Sequence, residues 1–183
     1  YSVGNYGKAA VHFQNALNSD SRNIHAYLGL GAIDVINKNY SSAVQNYEKV
    51  LSLAPNNLNA LEAIANLSGV VPLNDEWDRQ LFSMAEIYPK SAVLQNACGN
   101  TFARKNDWLS AQASYFKAHA NKPQNPDYMV NLAVSYDHIG EYKLASQYYT
   151  QALAYVDRAK ISFDANQVKA RLVSIRQLAM KGR

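Results

Sequence analysis

Apolar residues recur along this chain at three- and four-residue spacing, the pattern of helices that each bury one stripe. One block reads Ala43, Tyr47, Val50, with an apolar residue at i, i+4 and i+7. The same spacing returns as Ala9, Phe13, Ala16, as Ala111, Tyr115, Ala118 and as Ala145, Tyr149, Ala152. The step from Ala9 to Ala43 equals that from Ala111 to Ala145, and the step between Ala43 and Ala111 is twice as long. The copy expected in the gap reads Trp77, Leu81, Met84, apolar in the same phase but bulkier. The pattern predicts helices over 6–18, 24–37, 40–53, 58–68, 75–88, 92–105, 108–121, 126–139, 142–156 and 164–180.

The stretch ahead of each block repeats too. With units starting at 24, 58, 92 and 126, the seventh and eighth positions read Leu30/Gly31, Ile64/Ala65, Cys98/Gly99 and Leu132/Ala133. A small eighth residue lets two helices of a hairpin approach closely, and the aromatic of the second helix fills the wedge beside it. Turn residues separate the halves at Asn37–Tyr40, Lys105–Asp107 and Ile139–Glu141. Pro55, Pro89 and Pro123 close three of the units, because proline lacks an N–H and disfavours helix in the residue before it.

A 34-residue helical hairpin in fixed phase resembles the tetratricopeptide repeat family. The resemblance covers residues 6–159. It implies an all-α fold: a right-handed superhelical solenoid of antiparallel hairpins. The expected organisation is the second half of an incomplete repeat over 1–23, repeats over 24–57, 92–125 and 126–159, a degenerate repeat over 58–91, and a basic capping helix over 160–183. Pro72 within Gly69–Asn74 and Trp77 in place of a small residue predict splayed or shortened helices in the degenerate unit. Tyr1 falls near the end of a first helix in this phase, so helix 6–18 is expected to lack its partner here and the chain is expected to be a fragment of a longer protein.

Within the family the first helices line a groove that holds a peptide or protein. Carried over by position, the residues expected to meet a partner are Asn59, Glu62, Asn66, Asn96, Asn100, Arg104, Asp127, Asn131 and His138. An amide offers donors and an acceptor, so a ladder of Asn side chains suits an extended backbone and reads little of its sequence. The family branch that clamps a terminal carboxylate needs lysines that this groove lacks: the matching positions include Leu28, Ala32, Val93 and Ala97.

Composition narrows the function classes. The chain has 183 residues, 48% hydrophobic and 17% charged, and one cysteine. That excludes an internal disulfide framework. Cys98 takes a buried repeat position and reads as core. The four histidines show no metal-ligand spacing, and no phosphate loop or nucleophile elbow is present. No catalytic residue, metal or cofactor is expected, and no small-molecule substrate. Asn39-Tyr-Ser41 and Asn66-Leu-Ser68 match the glycosylation sequon by coincidence with repeat helices. The recurrent tyrosines take packing positions.

The net charge of +4 and pI of 9.1 invite a nucleic-acid or membrane reading. The charge, however, is localised. Residues 1–157 carry 11 Lys/Arg against 13 Asp/Glu, while residues 158–183 carry seven basic residues against Asp164 alone. Lys169, Arg171 and Arg176 are the exposed basic candidates there. RNA or an anionic membrane is therefore expected only at that tail. The favoured reading is a non-catalytic scaffold or adaptor, used in assembling a bacterial pilus, secretion or envelope complex. The other readings are the regulatory part of a larger enzyme, basic-tail docking, and self-association through the unpaired N-terminal helix.

Overall fold

The computed structural model describes residues 4–71 and 75–181. Tyr1 and the middle of the long turn before residue 75 lie outside these, as do the side chains beyond Leu178. The described residues form ten α-helices and no strand: α1 (Gly4–Ser19), α2 (Ile24–Ile36), α3 (Tyr40–Leu53), α4 (Leu58–Leu67), α5 (Asp75–Ile87), α6 (Ala92–Arg104), α7 (Trp108–Asn121), α8 (Pro126–His138), α9 (Tyr142–Leu153) and α10 (Ala165–Lys181). The chain forms two compact units, Tyr1–Asp75 and Glu76–Arg183. Each expected helix is present, with ends close to those the pattern predicts. α4 is shortened, with 10 residues where α2, α6 and α8 have 13.

Three local devices recur with the repeat. First, Asn23, Asn57, Ser91 and Asn125 stand one repeat apart, each as the N-cap of a first helix. Their side-chain oxygens accept from the backbone N–H groups of Ala26, Ala60, Leu94 and Tyr128 at 3.0–3.3 Å. Each bond satisfies a donor that the helix start leaves unpaired, contributing about 1 kcal/mol.

Second, the turn inside three hairpins has one geometry. Lys38, Asn106 and Gly140 adopt φ of 62°, 59° and 83°. The following N–H groups, on Asn39, Asp107 and Glu141, reach back to the carbonyls of Asp34, Phe102 and Tyr136 at 2.8–3.0 Å. This is a Schellman turn with its left-handed residue at the fifteenth repeat position. Pro72 occupies that position in the degenerate unit. That residue lies outside the described ones.

Third, the small eighth residue sets the hairpin spacing. A Cβ on Gly31 would meet the Tyr47 ring at 2.6 Å, and one on Gly99 the Tyr115 ring at 2.4 Å. Ala43, Ala111 and Ala145 begin the second-helix stripe and are wholly buried. In the first unit the core includes Ile33, Tyr47, Val50, Leu61 and Ile64. In the second, Met129, Ala133, Tyr149 and Ala152 enclose Val168, Leu172 and Ile175 of α10. The final helix thus lays its apolar stripe of Val168, Leu172 and Ile175 on the last hairpin.

Candidate functional site

In the second unit the two first helices, α6 and α8, bring predicted site residues together. The Asn131 amide donates to the Asn96 side-chain oxygen at 2.8 Å, linking the two helices. Both side chains are half-buried. The bond leaves the Asn96 amide hydrogens and the Asn131 oxygen for further hydrogen bonds. Asn100, one turn along α6, accepts from the Tyr115 hydroxyl at 3.0 Å. Burial pushes that phenol up from its ordinary pKa, so it remains a neutral donor.

Arg104 is turned onto Asp78 of α5, its terminal nitrogen 2.8 and 3.0 Å from the two carboxylate oxygens. Lys105 adds a second pair at 2.9 Å, and the Thr101 hydroxyl a bond at 3.2 Å. Burial alone would raise the Asp78 carboxyl, but the hydrogen bonds from Lys105 and Arg104 outweigh it and hold it below its ordinary range. The carboxylate is buried while both cations remain half-exposed. Asp78 had no signal in the sequence beyond a charge beside the apolar stripe of Trp77 and Leu81. Its cations lie most of a repeat further along the chain.

At the far end of α8, His138 is exposed and stacks on Trp108 with ring centres 3.5 Å apart and planes 2° from parallel. Beside it, Asp137 receives a two-pronged bond from Arg171 of α10, at 2.6 and 2.7 Å. The Tyr149 hydroxyl lies 3.5 Å from the same carboxylate, and burial followed by the Asp137 charge pushes that phenol up. Asp137, His138, Tyr149, Arg171 and Val134 line a cavity of about 470 Å³. Asp127 accepts from the Ser162 N–H at 2.8 Å, which ties the chain ahead of α10 to the start of α8.

The tail residues are placed differently from one another. Arg171 pins α10 to α8. Arg176 reaches Thr150 at 3.2 Å, and Lys169 is exposed. In the first unit, Asn59 and Asn66 are exposed on α4, with Glu62 half-buried between them.

A second cavity of about 500 Å³ lies between α5 and α7, walled by Phe82, Phe102, Glu86 and Lys117, with Cys98 at its floor. Burial pushes the thiol up to about 12, so it stays protonated and unreactive near neutral pH. Among the described residues no cluster of His, Cys, Asp and Glu is arranged to hold a metal. Nor is any described helix long and apolar enough to cross a membrane.

Two tetratricopeptide repeat models match the sequence, over residues 24–57 and 129–160. No curated protein matches the chain. Solved structures share its fold at low identity. The pilus biogenesis factor PilW has a TM-score of 0.77 at 20% identity, covering 96% of this chain and 80% of its own. PilF of Pseudomonas aeruginosa has a TM-score of 0.76 at 18% identity, covering 95% and 78%. MamA gives 0.71 at 17% identity, covering 85% and 91%. Matched repeats at two places, with helical hairpins in the same phase, establish that the chain belongs to the tetratricopeptide repeat family, whose members are typically protein-interaction modules.

Proposed function

We infer that the chain is a non-catalytic scaffold that binds an extended segment of a partner protein along α6 and α8. The Asn96–Asn131 pair carries this reading. Two half-buried amides bonded to each other across adjacent first helices hold their remaining donors and acceptor at fixed positions, and such an array suits a peptide backbone. The charges nearby support a neutral segment. Arg104 is neutralised by Asp78 and Asp137 by Arg171, so neither demands an opposite charge from the partner. The fold shared with PilF and PilW supports a place in assembling a pilus or a related envelope complex.

The test uses peptides selected on the chain from a displayed random library. The double variant Asn96→Ala with Asn131→Ala should bind them at least about tenfold more weakly, the equivalent of two neutral hydrogen bonds. Its melting temperature should stay close to that of the wild type. Undiminished binding by the double variant would remove the amide pair from the site.

A further inference from the structure

The repeat supplies its own control for the space between neighbouring second helices. Between α7 and α9 that space is filled by Tyr148. Its ring stacks beside Tyr136 of α8, with centres 5.6 Å apart and planes 10° from parallel. It stands nearly perpendicular to His119 of α7, 5.4 Å away. It also packs on the core clusters that hold Met129 and Leu132. One repeat earlier, between α5 and α7, the corresponding space is the cavity of about 500 Å³. Ala85 stands there for His119, Gln95 for Met129, Cys98 for Leu132 and Ser114 for Tyr148, and all four line the cavity. Phe102 keeps the aromatic ring of Tyr136, with Phe82 of α5 against it at 4.9 Å. The aromatic wall is therefore retained, and the tyrosine that would fill the space is missing.

The polar lining says which kind of ring suits it. Gln95 is only 6% exposed, at a repeat position where Leu61 and Met129 are apolar and equally buried. Its amide donates to the Ala85 carbonyl at 3.1 Å, which leaves the side-chain oxygen as an acceptor. The Ser114 hydroxyl already donates to the Ser110 carbonyl at 3.0 Å, so it too is left to accept. A buried wall with two such acceptors favours a ring that brings its own O–H, because a buried polar group without a partner is costly. At the mouth, the exposed Glu86 and Lys117 carry opposite charges, and together they suit a neutral entrant.

We propose that this cavity binds a tyrosine side chain of a partner protein, with the ring against Phe102 and the hydroxyl donating to Gln95. Gln95, Cys98 and Phe102 follow one stripe of α6, while Asn96 and Asn100 lie on another face of the same helix. The tyrosine site is thus separate from the segment bound along α6 and α8, and either can fail without the other.

The probes are N-acetyl-tyrosinamide and N-acetyl-phenylalaninamide, titrated at millimolar concentration into the isotope-labelled chain. The amide resonances of Gln95, Cys98 and Ser114 should shift. The tyrosine probe should bind about fivefold more tightly, the equivalent of one neutral hydrogen bond. Gln95→Met should bring the two probes level. Ser114→Tyr, which restores the filling seen one repeat later, should remove the binding of both. If that variant does not fold, Gln95→Met alone decides. An absence of shifts at the three residues would overturn the proposal, as would equal binding of the two probes by the unaltered chain or a preference that survives Gln95→Met. Free tyrosine binding where N-acetyl-tyrosinamide does not would overturn it too, in favour of a small-molecule site.

Discussion

At Gly99 the distance between α6 and α7 is set by what a side chain lacks. An added Cβ would lie 2.4 Å from the Tyr115 ring, and that ring is held in place by burial and by its bond to Asn100. Gly99→Ala is expected to destabilise the protein by about 1–3 kcal/mol, the cost of overpacking a core. Gly7, inside α1 with nothing within 4 Å of its Cβ position, is the contrast. There alanine should stabilise by about 0.5–1 kcal/mol. Urea unfolding of the two variants checks both signs. The small eighth position was legible in the sequence because it recurs beside an aromatic in phase. The N-cap asparagines were not. Asn23, Asn57 and Asn125 stand one residue ahead of three of the four units, in a chain with Asn in many other places, and only the hydrogen bonds separate capping amides from those of the candidate site.

Between elements, two buried carboxylates fasten helices to one another. Asp78 joins α5 to α6 through Arg104 and Lys105. Its carboxyl is held below the ordinary range, so its contribution is complete above the unfolded-state value, about 3.9. The contribution is lost as pH falls through the lower folded-state value. Asp78→Asn should therefore cost about 1–3 kcal/mol at neutral pH and flatten the last part of the acid-unfolding curve, read as urea midpoint against pH.

Asp137 fastens α8 to α10 through Arg171. Arg171→Ala removes the two-pronged bond from a buried carboxylate whose other partner, the Tyr149 hydroxyl, lies 3.5 Å away. It should loosen α10, seen as faster amide exchange at Val168, Leu172 and Ile175. Arg171→Lys should recover only part of the protection, because lysine cannot form the two-pronged bond. Neither pair was legible in advance. Their members lie most of a repeat or a whole repeat apart, and charge alone names no partner, so Arg171 read as one of a set of free tail cations.

For the whole molecule, the helices followed from periodicity because a stripe of period 3.6 is a local property. Departures from the repeat followed less well. Asp78 sits in the degenerate unit, where bulky residues replace small ones in the sequence. The pI of 9.1 describes mainly residues 158–183, and one of those cations is already paired. What most needs testing is the lie of a partner segment along α6 and α8. The direct measurement is photo-crosslinking of a library-selected peptide to the chain carrying benzoylphenylalanine at one of two positions: Val93, on the α6 face, or Gln147, on the outer side of α9. Adducts should form from position 93, excess unlabelled peptide should compete them away, and position 147 should give none. Adducts from position 147 alone would contradict a segment bound on α6 and α8.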